Sequence, residues 1–450
     1  MCGIVGYTGP REARPLLLAG LEKLEYRGYD SAGISVLDED RIDAVRAVGN
    51  LSNLRKAVEG REDGAAVATA TRTTQPQTGI GHTRWATHGR VSEENAHPHY
   101  DTSDRVHVVV NGIVENYVAL KRRLEDMGAE FTSETDAEVI AHLVAHHYAQ
   151  GSLLEAVRAA YAELRGHYAF VAISLDEPGV LVGARKECPL IVGRGNGEQF
   201  IASAIPAFLR ETRHVQYIND DELVMLTPDD VEFYTAEGQP LGREITEIDW
   251  DADTAEKQGY ETFMLKEIHE QADAVAETIG ERAARGVGID FGDLGAVDDQ
   301  LLRKLRRIVI VACGTSYHAG LIGRYAIEEW ARLPVETEIA SEYRYRNPVV
   351  GPNDLVIGIS QSGETADTLA AMRTARERGA RVLAVTNIIG SQATRDADGV
   401  LFTRAGLEIG VAATKTFTTQ VVVMYLLALR LAELRATLET ETVRDVIAEL

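Results

Sequence analysis

The second residue of the chain is a cysteine placed where it could act as a nucleophile. Removal of Met1 ahead of a small residue leaves Cys2 at the mature N-terminus, where thiol and free α-amine share one residue. An α-amine has a reference pKa of about 7.7–8.0 and can act as general base at neutral pH, unlike a lysine amine at about 10.4. Such a nucleophile carries its own base. Taken alone, a cysteine here is more often an ordinary small apolar residue that begins a strand.

Further segments carry polar residues that could accompany this nucleophile. They are Tyr26–Ser31 (YRGYDS), Gly81–Gly89 (GHTRWATHG), Asn95–His99 (NAHPH), Asn111–Asn116 (NGIVEN) and Ser133–Asp136 (SETD). Together with Cys2–Gly6 (CGIVG), these segments resemble the class II glutamine amidotransferases. More narrowly, they resemble the glutamine–fructose-6-phosphate aminotransferases (isomerizing), also called glucosamine-6-phosphate synthases. The resemblance covers essentially the whole chain.

The resemblance implies a role for each residue of a glutamine site. Cys2 attacks the side-chain amide, while Arg84 binds the α-carboxylate of glutamine and Asp136 binds its α-ammonium group. Asn111 and the backbone amide of Gly112 stabilise the tetrahedral oxyanion. Four residues are expected to shape or gate the pocket: Trp85, Thr87, His88 and His97.

We expect no metal site in this region. His142 and His146 are four residues apart, as in a zinc-binding helix, but the intervening segment lacks the catalytic glutamate of a zinc protease. The three cysteines, Cys2, Cys188 and Cys313, show no CxxC spacing, so neither a disulfide framework nor a thiolate zinc site is indicated. The resemblance implies a reaction that needs neither a metal nor an organic cofactor. A further set of histidines is expected to be structural: His82, His99, His107, His142, His146 and His147.

Two turns in the second half of the chain have the composition of a phosphate site. Ile308–Ser316 and Leu355–Thr365 each read as a strand that ends in a turn of small residues and leads into a helix. A helix N-terminus favours phosphate through its unpaired amides and its dipole. No Walker lysine follows either turn, which argues against binding of a nucleoside triphosphate. Both turns resemble the sugar isomerase (SIS) domain, which binds phosphosugars at the ends of a parallel sheet.

The SIS resemblance assigns a set of residues to the sugar phosphate or its turns. Cys313 and Gly314 form the first turn, so Cys313 need not be reactive. The segment Ala405–Gln420 resembles the family's segment that lines the sugar, but Ala413 stands where the family has a serine, so that polar contact does not carry over. The predicted set is Cys313, Gly314, Thr315, Ser316, Ser360, Gln361, Ser362, Thr365 and Val411.

The elements that must position the glutamine site lie before residue 228. Two helical patterns, Arg14–Tyr26 and Asp136–Gln150, accompany short strand-like runs, and Thr135 or Asp136 could cap the second helix. Strands with helices packed outside them fit this mixture best. The strand-like runs are Ile34–Leu37, Val106–Val110, Ala169–Ser174 and Glu222–Leu226.

The pattern changes after an acidic segment, 229–262, which reads as a connector. A helical stretch, Phe263–Arg285, is followed by strands alternating with helices, and this alternation predicts a parallel sheet. The predicted strands are Arg307–Ala312, Leu355–Ile359 and Val382–Thr386.

The resemblance implies an N-terminal Ntn-hydrolase αββα sandwich followed by a SIS-type αβα domain with a parallel sheet. The predicted divisions are a glutamine amidotransferase domain at 2–228, the connector at 229–262, a helical lead-in at 263–297, a SIS domain at 298–438 and the start of a second SIS domain at 439–450.

Composition narrows the class of partner. A net charge of −23 repels nucleic-acid phosphates and anionic lipid. We therefore expect a small-molecule substrate, and we expect the protein to bind neither nucleic acid nor a membrane. The apolar run Val421–Leu429 is shorter than the roughly 20 residues of a membrane helix. No export signal is visible at the N-terminus, so a cytoplasmic location is expected.

The resemblance implies one reaction and leaves an alternative open. L-glutamine and fructose 6-phosphate give L-glutamate and glucosamine 6-phosphate, the first step of hexosamine (UDP-GlcNAc) synthesis, through a Cys2 thioester and channelled ammonia. The family's isomerising residues lie in a second SIS domain and a C-terminal tail that this sequence does not match. The alternative is therefore a chain that acts only as a glutaminase or as a phosphosugar-binding sensor. The family resemblance also implies a homodimer.

Overall fold

The computed structural model describes residues 2–38, 40–66, 77–86, 88–148, 151–248, 258–283 and 288–450, apart from the side chains of Tyr26 and residues 62–66. The chain divides into two compact units, Met1–Ala255 and Glu256–Leu450.

The first unit is built on two antiparallel sheets. Its strands are β1 (Gly3–Thr8), β2 (Ser31–Asp38), β3 (Arg41–Val48), β4 (Thr78–Arg84), β5 (His99–Tyr100), β6 (Val106–Val114), β7 (Gly166–Ser174), β8 (Leu181–Lys186), β9 (Ile191–Arg194), β10 (Gln199–Ala202), β11 (His214–Tyr217), β12 (Glu222–Leu226), β13 (Val231–Thr235), β14 (Pro240–Leu241) and β15 (Thr246–Glu247). Among the described residues, one sheet has eight strands in the order β15-β11-β9-β10-β1-β4-β2-β3, and the other has seven in the order β14-β13-β12-β8-β7-β6-β5.

Five helices cover the outer faces of these sheets within the described part of the unit. They are α1 (Ala13–Leu24), α2 (Leu51–Ala66), α3 (Tyr117–Asp126), α4 (Glu138–Tyr148) and α5 (Leu153–Glu163). Successive side chains of a strand point to opposite faces of its sheet. Here the residues on both faces are buried, in different apolar clusters. Ile4 on β1 lies in the apolar cluster between the two sheets, whereas Val5 lies in the cluster under α1 and α2. The layers are helix, sheet, sheet and helix, which confirms the predicted αββα sandwich.

The helix prediction for this unit was incomplete. The predicted helix Arg14–Tyr26 corresponds to α1 followed by a 3₁₀ turn at Glu25–Arg27, and Asp136–Gln150 corresponds to α4, with Gln150 outside the described residues. Helices α2, α3 and α5 were missed. For α3 the physical reason is a narrow apolar stripe, since it buries only Leu120 and Leu124, whereas α5 buries five residues at helical spacing and could have been predicted.

The segment predicted as a connector, 229–262, contains strands of the first unit, although the division between the two units, after Ala255, falls within it. Strand β13 pairs with β12 and β14 in the seven-stranded sheet, and β15 pairs with β11 at the edge of the eight-stranded sheet. Val231 and Phe233 on β13 are buried while Glu232 between them is exposed. A strand of five residues with this pattern produces too short an alternation to stand out in an acidic segment.

The second unit is built on one parallel sheet. Its strands are β16 (Arg307–Ala312), β17 (Val335–Ile339), β18 (Asp354–Ile359), β19 (Arg381–Thr386) and β20 (Gly399–Phe402), in the order β17-β16-β18-β19-β20. All neighbouring strands in it are parallel, as the sequence predicted. The helices are α6 (Phe263–His269), α7 (Gln271–Ile279), α8 (Asp299–Lys304), α9 (Gly314–Ala326), α10 (Ala340–Tyr345), α11 (Ala366–Glu377), α12 (Gln392–Asp396), α13 (Lys415–Arg435) and α14 (Thr440–Glu449).

The helix predicted at Phe263–Arg285 is divided in the structure. It consists of α6, α7 and a 3₁₀ turn at Gly280–Arg282, with Arg285 outside the described residues. Gly280, at φ 37°, follows the last residue of α7. A positive φ favours glycine, which is why the helix can end here.

One helix of the second unit is long and apolar enough to cross a membrane. Helix α13 has a mean hydropathy of 1.4 in its most apolar window, and 61% of that window is buried inside the protein. Val423, Leu427 and Leu431 pack in the same apolar cluster as strands β16 and β18. This burial identifies α13 as a core helix of the unit.

Candidate active site

The thiol of Cys2 lies at the junction of two paired strands. Cys2 directly precedes β1, and Trp85 directly follows β4, which pairs with β1 so that Gly3 opposes Thr83. The Trp85 amide donates to Sγ of Cys2 at 3.2 Å, and the Trp85 carbonyl oxygen lies 3.6 Å from the same sulfur. Burial raises the pKa of the Cys2 thiol above its ordinary value. A base must therefore remove its proton before the sulfur can attack.

Asn111 and Gly112 approach Cys2 from the other sheet, on β6. Nδ2 of Asn111 donates to the backbone carbonyl of Cys2 at 3.2 Å. Gly112 has φ of 103°, and a Cβ at that position would lie 2.1 Å from the carbonyl oxygen of His167. Only glycine fits this backbone. The two predicted oxyanion donors thus occupy successive positions beside the sulfur-bearing residue.

Arg84 is the last residue of β4 and is almost fully buried. Its guanidinium donates to the carbonyl oxygens of Arg90 at 3.2 Å, Gly89 at 3.5 Å and His88. Burial lowers the pKa of Arg84, and the nearby Cys2 and acidic side chains act in the opposite direction. The side chain predicted to bind a carboxylate therefore holds the turn at 88–90.

Asp136 is buried, with its carboxylate divided between two contacts. Oδ2 accepts from the Val114 amide at 2.7 Å, and Oδ1 lies 3.8 Å from Nδ1 of His88. Asp136, which the sequence offered as a possible N-cap of the helix α4, instead uses its side chain to bind β6.

Two further predicted pocket residues lie on or near the segment after β4. Trp85 is 39% exposed, and its ring lies edge-on to that of Tyr29 with centroids 5.4 Å apart. Thr87, the remaining predicted pocket residue, lies outside the described residues.

His97 is buried against strand β6. The side chain is 5% exposed, and its Nδ1 accepts from the Val110 amide at 3.2 Å. Its ring stacks on His82 with centroids 4.1 Å apart. Burial holds the pKa of His97 well below its ordinary value. The contacts of His97 therefore support strand β6, and its role in shaping the pocket stays a prediction.

Two residues that contact the site, Asp30 and His82, were not among the predicted site residues. Oδ2 of Asp30 accepts from the Ala86 amide at 2.7 Å and so fixes the segment after β4. Asp30 belongs to the YRGYDS segment, whose resemblance could have marked it. Nε2 of His82 lies 3.1 Å from Oδ1 of Asn111. Neither the spacing nor the composition of the sequence distinguishes His82 from the other buried histidines.

The predicted phosphate turns lie at one edge of the parallel sheet of the second unit. Strands β16 and β18 are neighbours, and Ala312 opposes Ile359 at their carboxyl ends. Helix α9 begins after Cys313 and α11 after Thr365. The two turns therefore follow adjacent strands at the same level, as the sequence predicted.

The second turn is ordered by its own hydroxyl groups. Oγ of Ser360 lies 2.8 Å from Oγ1 of Thr365 and accepts from the Gly363 amide at 3.0 Å. Oγ of Ser362 accepts from the Glu364 amide at 3.2 Å. In the first turn Thr315 is exposed and Ser316 is buried, while Gln361 beyond Ser360 is partly exposed. Among the described residues no group of three histidine, cysteine or acidic side chains could hold a metal ion.

Two buried carboxylates hold the loop that carries Val411. Glu408 accepts from the Thr414 amide at 2.9 Å, and Glu267 accepts from the Ile409 amide at 2.6 Å and from the Gly410 amide at 3.0 Å. Burial raises the pKa of Glu267. Val411 itself is 65% exposed, so the loop is anchored on both sides of an accessible tip.

Comparisons with known proteins decide the family. The chain is 48% identical over 450 residues to "Glutamine--fructose-6-phosphate aminotransferase [isomerizing]" of Caldanaerobacter subterraneus subsp. tengcongensis, covering 100% of this chain and 72% of that relative. The protein of the same name from Clostridium acetobutylicum is 49% identical with the same coverage. The chain belongs to the glutamine–fructose-6-phosphate aminotransferase [isomerizing] family.

The aminotransferase assignment agrees with two domain families. The glutamine amidotransferase domain model matches residues 82–210, within the first unit, and the SIS domain model matches residues 301–430, within the second. A solved C-terminal domain of glucosamine-fructose-6-phosphate aminotransferase from Francisella tularensis is 42% identical, with a TM-score of 0.42, over 43% of this chain and 54% of that chain. The family predicted from the six polar segments and the two turns is confirmed.

Proposed function

We propose that this aminotransferase-family chain takes ammonia from L-glutamine and delivers it to fructose 6-phosphate, giving L-glutamate and glucosamine 6-phosphate. One observation carries the proposal. The Cys2 thiol accepts from the Trp85 amide, and Nδ2 of Asn111 lies 3.2 Å from the backbone carbonyl oxygen of the same cysteine. A nucleophile and an oxyanion donor on contacting residues are the minimal apparatus of amide hydrolysis through a thioester.

The first half-reaction uses Cys2 as both nucleophile and base. Once Met1 is removed, the free α-amine takes the thiol proton, and the sulfur attacks the side-chain amide carbon of glutamine. The negative oxygen that forms is stabilised by Nδ2 of Asn111 and the Gly112 amide. Collapse of this intermediate breaks the C–N bond, and the α-ammonium group returns its proton to the leaving ammonia. Water then hydrolyses the thioester to glutamate.

Arg84 and Asp136 are proposed to bind the two charges at the other end of glutamine. In the present structure the Arg84 guanidinium donates to neutral carbonyl oxygens of the turn 88–90. A carboxylate is a stronger acceptor for an arginine than a carbonyl. Arrival of glutamine would therefore draw the guanidinium away from the turn. His88, whose carbonyl and ring contact Arg84 and Asp136 respectively, would respond to both events.

The sugar phosphate is proposed to bind across the two turns of the second unit. The hydroxyls of Ser360, Ser362 and Thr365 are held near the start of α11, where helix amides favour an anion. Residues of the first turn, Thr315 and Ser316, would complete the contacts. Neither half of this scheme requires a metal or an organic cofactor. A cytoplasmic homodimer is the proposed setting, by resemblance to the family.

Product analysis tests the proposal. The purified chain is incubated with glutamine and fructose 6-phosphate, and glutamate and glucosamine 6-phosphate are quantified separately. Equal yields, lost in Cys2→Ala and retained in the matched variant Cys188→Ser, support the complete reaction. Glutamate alone, again lost in Cys2→Ala, would limit the chain to the glutaminase alternative. Glutamate production that survives Cys2→Ala would overturn both.

A further inference from the structure

We propose that His82 is a positioning residue of the glutaminase reaction, whose imidazole holds the side-chain amide of Asn111 with its N–H facing the catalytic cysteine. This inference rests on the proposed function of Cys2 and Asn111. It assigns a role to a histidine that makes no contact with the sulfur and that the sequence placed among the structural residues.

The side-chain amide of Asn111 lies between a hydrogen-bond donor, the His82 ring, and an acceptor, the Cys2 carbonyl oxygen. Nε2 of His82 lies 3.1 Å from Oδ1 of Asn111, and Nδ2 of Asn111 lies 3.2 Å from the Cys2 carbonyl oxygen. The strand pairing is continuous here, because His82 opposes Ile4 on β1, two residues after Cys2. Rotation of the amide by 180° would set its oxygen against the Cys2 carbonyl oxygen. Two acceptors would then face each other.

The protonation state of His82 makes the orientation specific. The ring is fully buried, and burial lowers the pKa of His82 to about 3. At neutral pH the imidazole therefore has one N–H. Since Oδ1 of Asn111 can only accept, the proton lies on Nε2 and the ring donates to the amide. A rotated Asn111 would set its own NH₂ against this N–H. The other tautomer would avoid that clash only by placing the proton on Nδ1, which is buried without a hydrogen-bond partner among the described residues, so either arrangement loses a hydrogen bond.

Stacking restricts the ring that makes this contact. His82 and His97 are parallel within 19° at 4.1 Å between centroids, and His97 is in turn 4.4 Å from His99. His97 accepts from the amide of Val110, the residue directly before Asn111. The stack is thus attached to the same strand that carries the oxyanion donor. Movement of His82 relative to Asn111 is limited by this shared attachment.

Orientation matters because an oxyanion donor acts only when it is already in place. Loss of one such donor lowers kcat by about 10²–10³-fold in hydrolases. A rotated Asn111 is worse than a missing one, since it presents an oxygen to the developing negative charge. The effect falls on kcat, because the charges of glutamine are assigned to Arg84 and Asp136 and the amide gains its interaction in the transition state.

A double-mutant cycle tests the inference. His82→Phe keeps an aromatic ring in the stack and removes the N–H, whereas His82→Gln keeps an N–H donor. We expect His82→Phe to lower glutaminase kcat by about 10²-fold with KM for glutamine changed less than about 3-fold, and His82→Gln to recover most of the loss. In the Asn111→Ala background, His82→Phe should have no further effect, because its partner is absent.

Alkylation of Cys2 by iodoacetamide separates positioning from general damage. This reaction uses the thiol but forms no tetrahedral oxyanion, so its rate should be unchanged in His82→Phe. Multiplicative losses in the double variant, a parallel fall in alkylation rate, or no recovery in His82→Gln would overturn the inference. If His82→Phe does not fold, His82→Asn, whose shorter amide cannot reach Asn111, takes its place in the cycle. A wild-type chain without Cys2-dependent glutaminase activity would instead overturn the proposed function itself.

Discussion

Three buried histidines make the stability of the first unit depend on pH. His82, His97 and His99 are 0%, 5% and 1% exposed. Burial lowers the pKa of His82 and His99 to about 3 and that of His97 well below its ordinary value. In the unfolded chain each has a pKa of about 6.5. Their contribution to stability is therefore complete above pH 6.5 and is lost as the pH falls toward 3, because only the unfolded chain takes up these protons.

The size of the effect follows from the number of protons. At pH 5.5 an unfolded histidine of pKa about 6.5 is about 90% protonated, while each buried ring remains neutral. One proton of difference changes the free energy of unfolding by about 1.4 kcal/mol per pH unit, so three histidines contribute about 4 kcal/mol per pH unit. Domains are typically stable by about 5–15 kcal/mol. A fall of one pH unit therefore removes a substantial part of the stability.

Hydrogen exchange of the slowest amides in β4 and β6 measures this dependence within the unit. Exchange is followed at pH 5.5, 5.0 and 4.5, where an unfolded histidine is almost fully protonated and the buried rings are still neutral, and is corrected for the intrinsic rate. His99→Gln removes one ring but retains an amide for Thr135, whose Oγ1 lies 3.0 Å from Nε2 of His99. The slope should fall by about 1.4 kcal/mol per pH unit in this variant. His146→Gln, on an exposed position of α4, is the matched control. Equal slopes in His99→Gln and wild type would refute the reasoning.

Three further substitutions test other contacts. Gly112→Ala places a Cβ 2.1 Å from a carbonyl oxygen, so glutamate release should fall at least about 10²-fold; near-normal kcat would contradict the oxyanion role. Ser360→Ala removes the hydroxyl that accepts from Gly363, so calorimetry should show weaker fructose 6-phosphate binding with unchanged glutaminase activity, and equal affinity would exclude Ser360 from the site. Glu267→Ala leaves two amides of the loop 405–414 unpaired, so exchange in that loop should be faster by about 2 kcal/mol of opening free energy, and unchanged protection would argue against this anchor.

The sequence predicts which residues form the candidate site, but it does not predict their contacts. Cys2 and Asn111 belong to recognisable segments, and the structure brings them together at 3.2 Å between Nδ2 and the carbonyl oxygen. By contrast, nothing in the sequence indicates that Arg84 donates to three backbone carbonyls or that His97 accepts from the Val110 amide. Such contacts depend on how a side chain is directed after the strands have paired. Spacing along the chain carries no information about that choice.

The central strands of the parallel sheet could be predicted from the sequence, whereas the last strands of the first unit could not. Strands β16, β18 and β19 are buried on both faces and therefore read as continuous apolar runs, which made them predictable. Strand β13 lies next to the edge strand β14 and has an exposed glutamate between two buried residues, so the segment resembled a connector. Its assignment to the sheet comes from pairing with β12, a contact that single-strand patterns do not encode.

The catalytic arrangement depends on the packing between the two sheets as much as on the polar residues. Cys2 belongs to the sheet of β1, and Asn111 to the sheet of β6. Ile4, two residues after Cys2, and Val109, two residues before Asn111, are both fully buried in the apolar cluster between these sheets. Close packing of such a cluster limits changes in the separation of the sheets, and hence in the distance between the proposed nucleophile and the proposed donor. Because displacements of about 1 Å can cost about 10² in rate, the proposed roles of Cys2 and Asn111 depend on this apolar layer as well as on the polar residues.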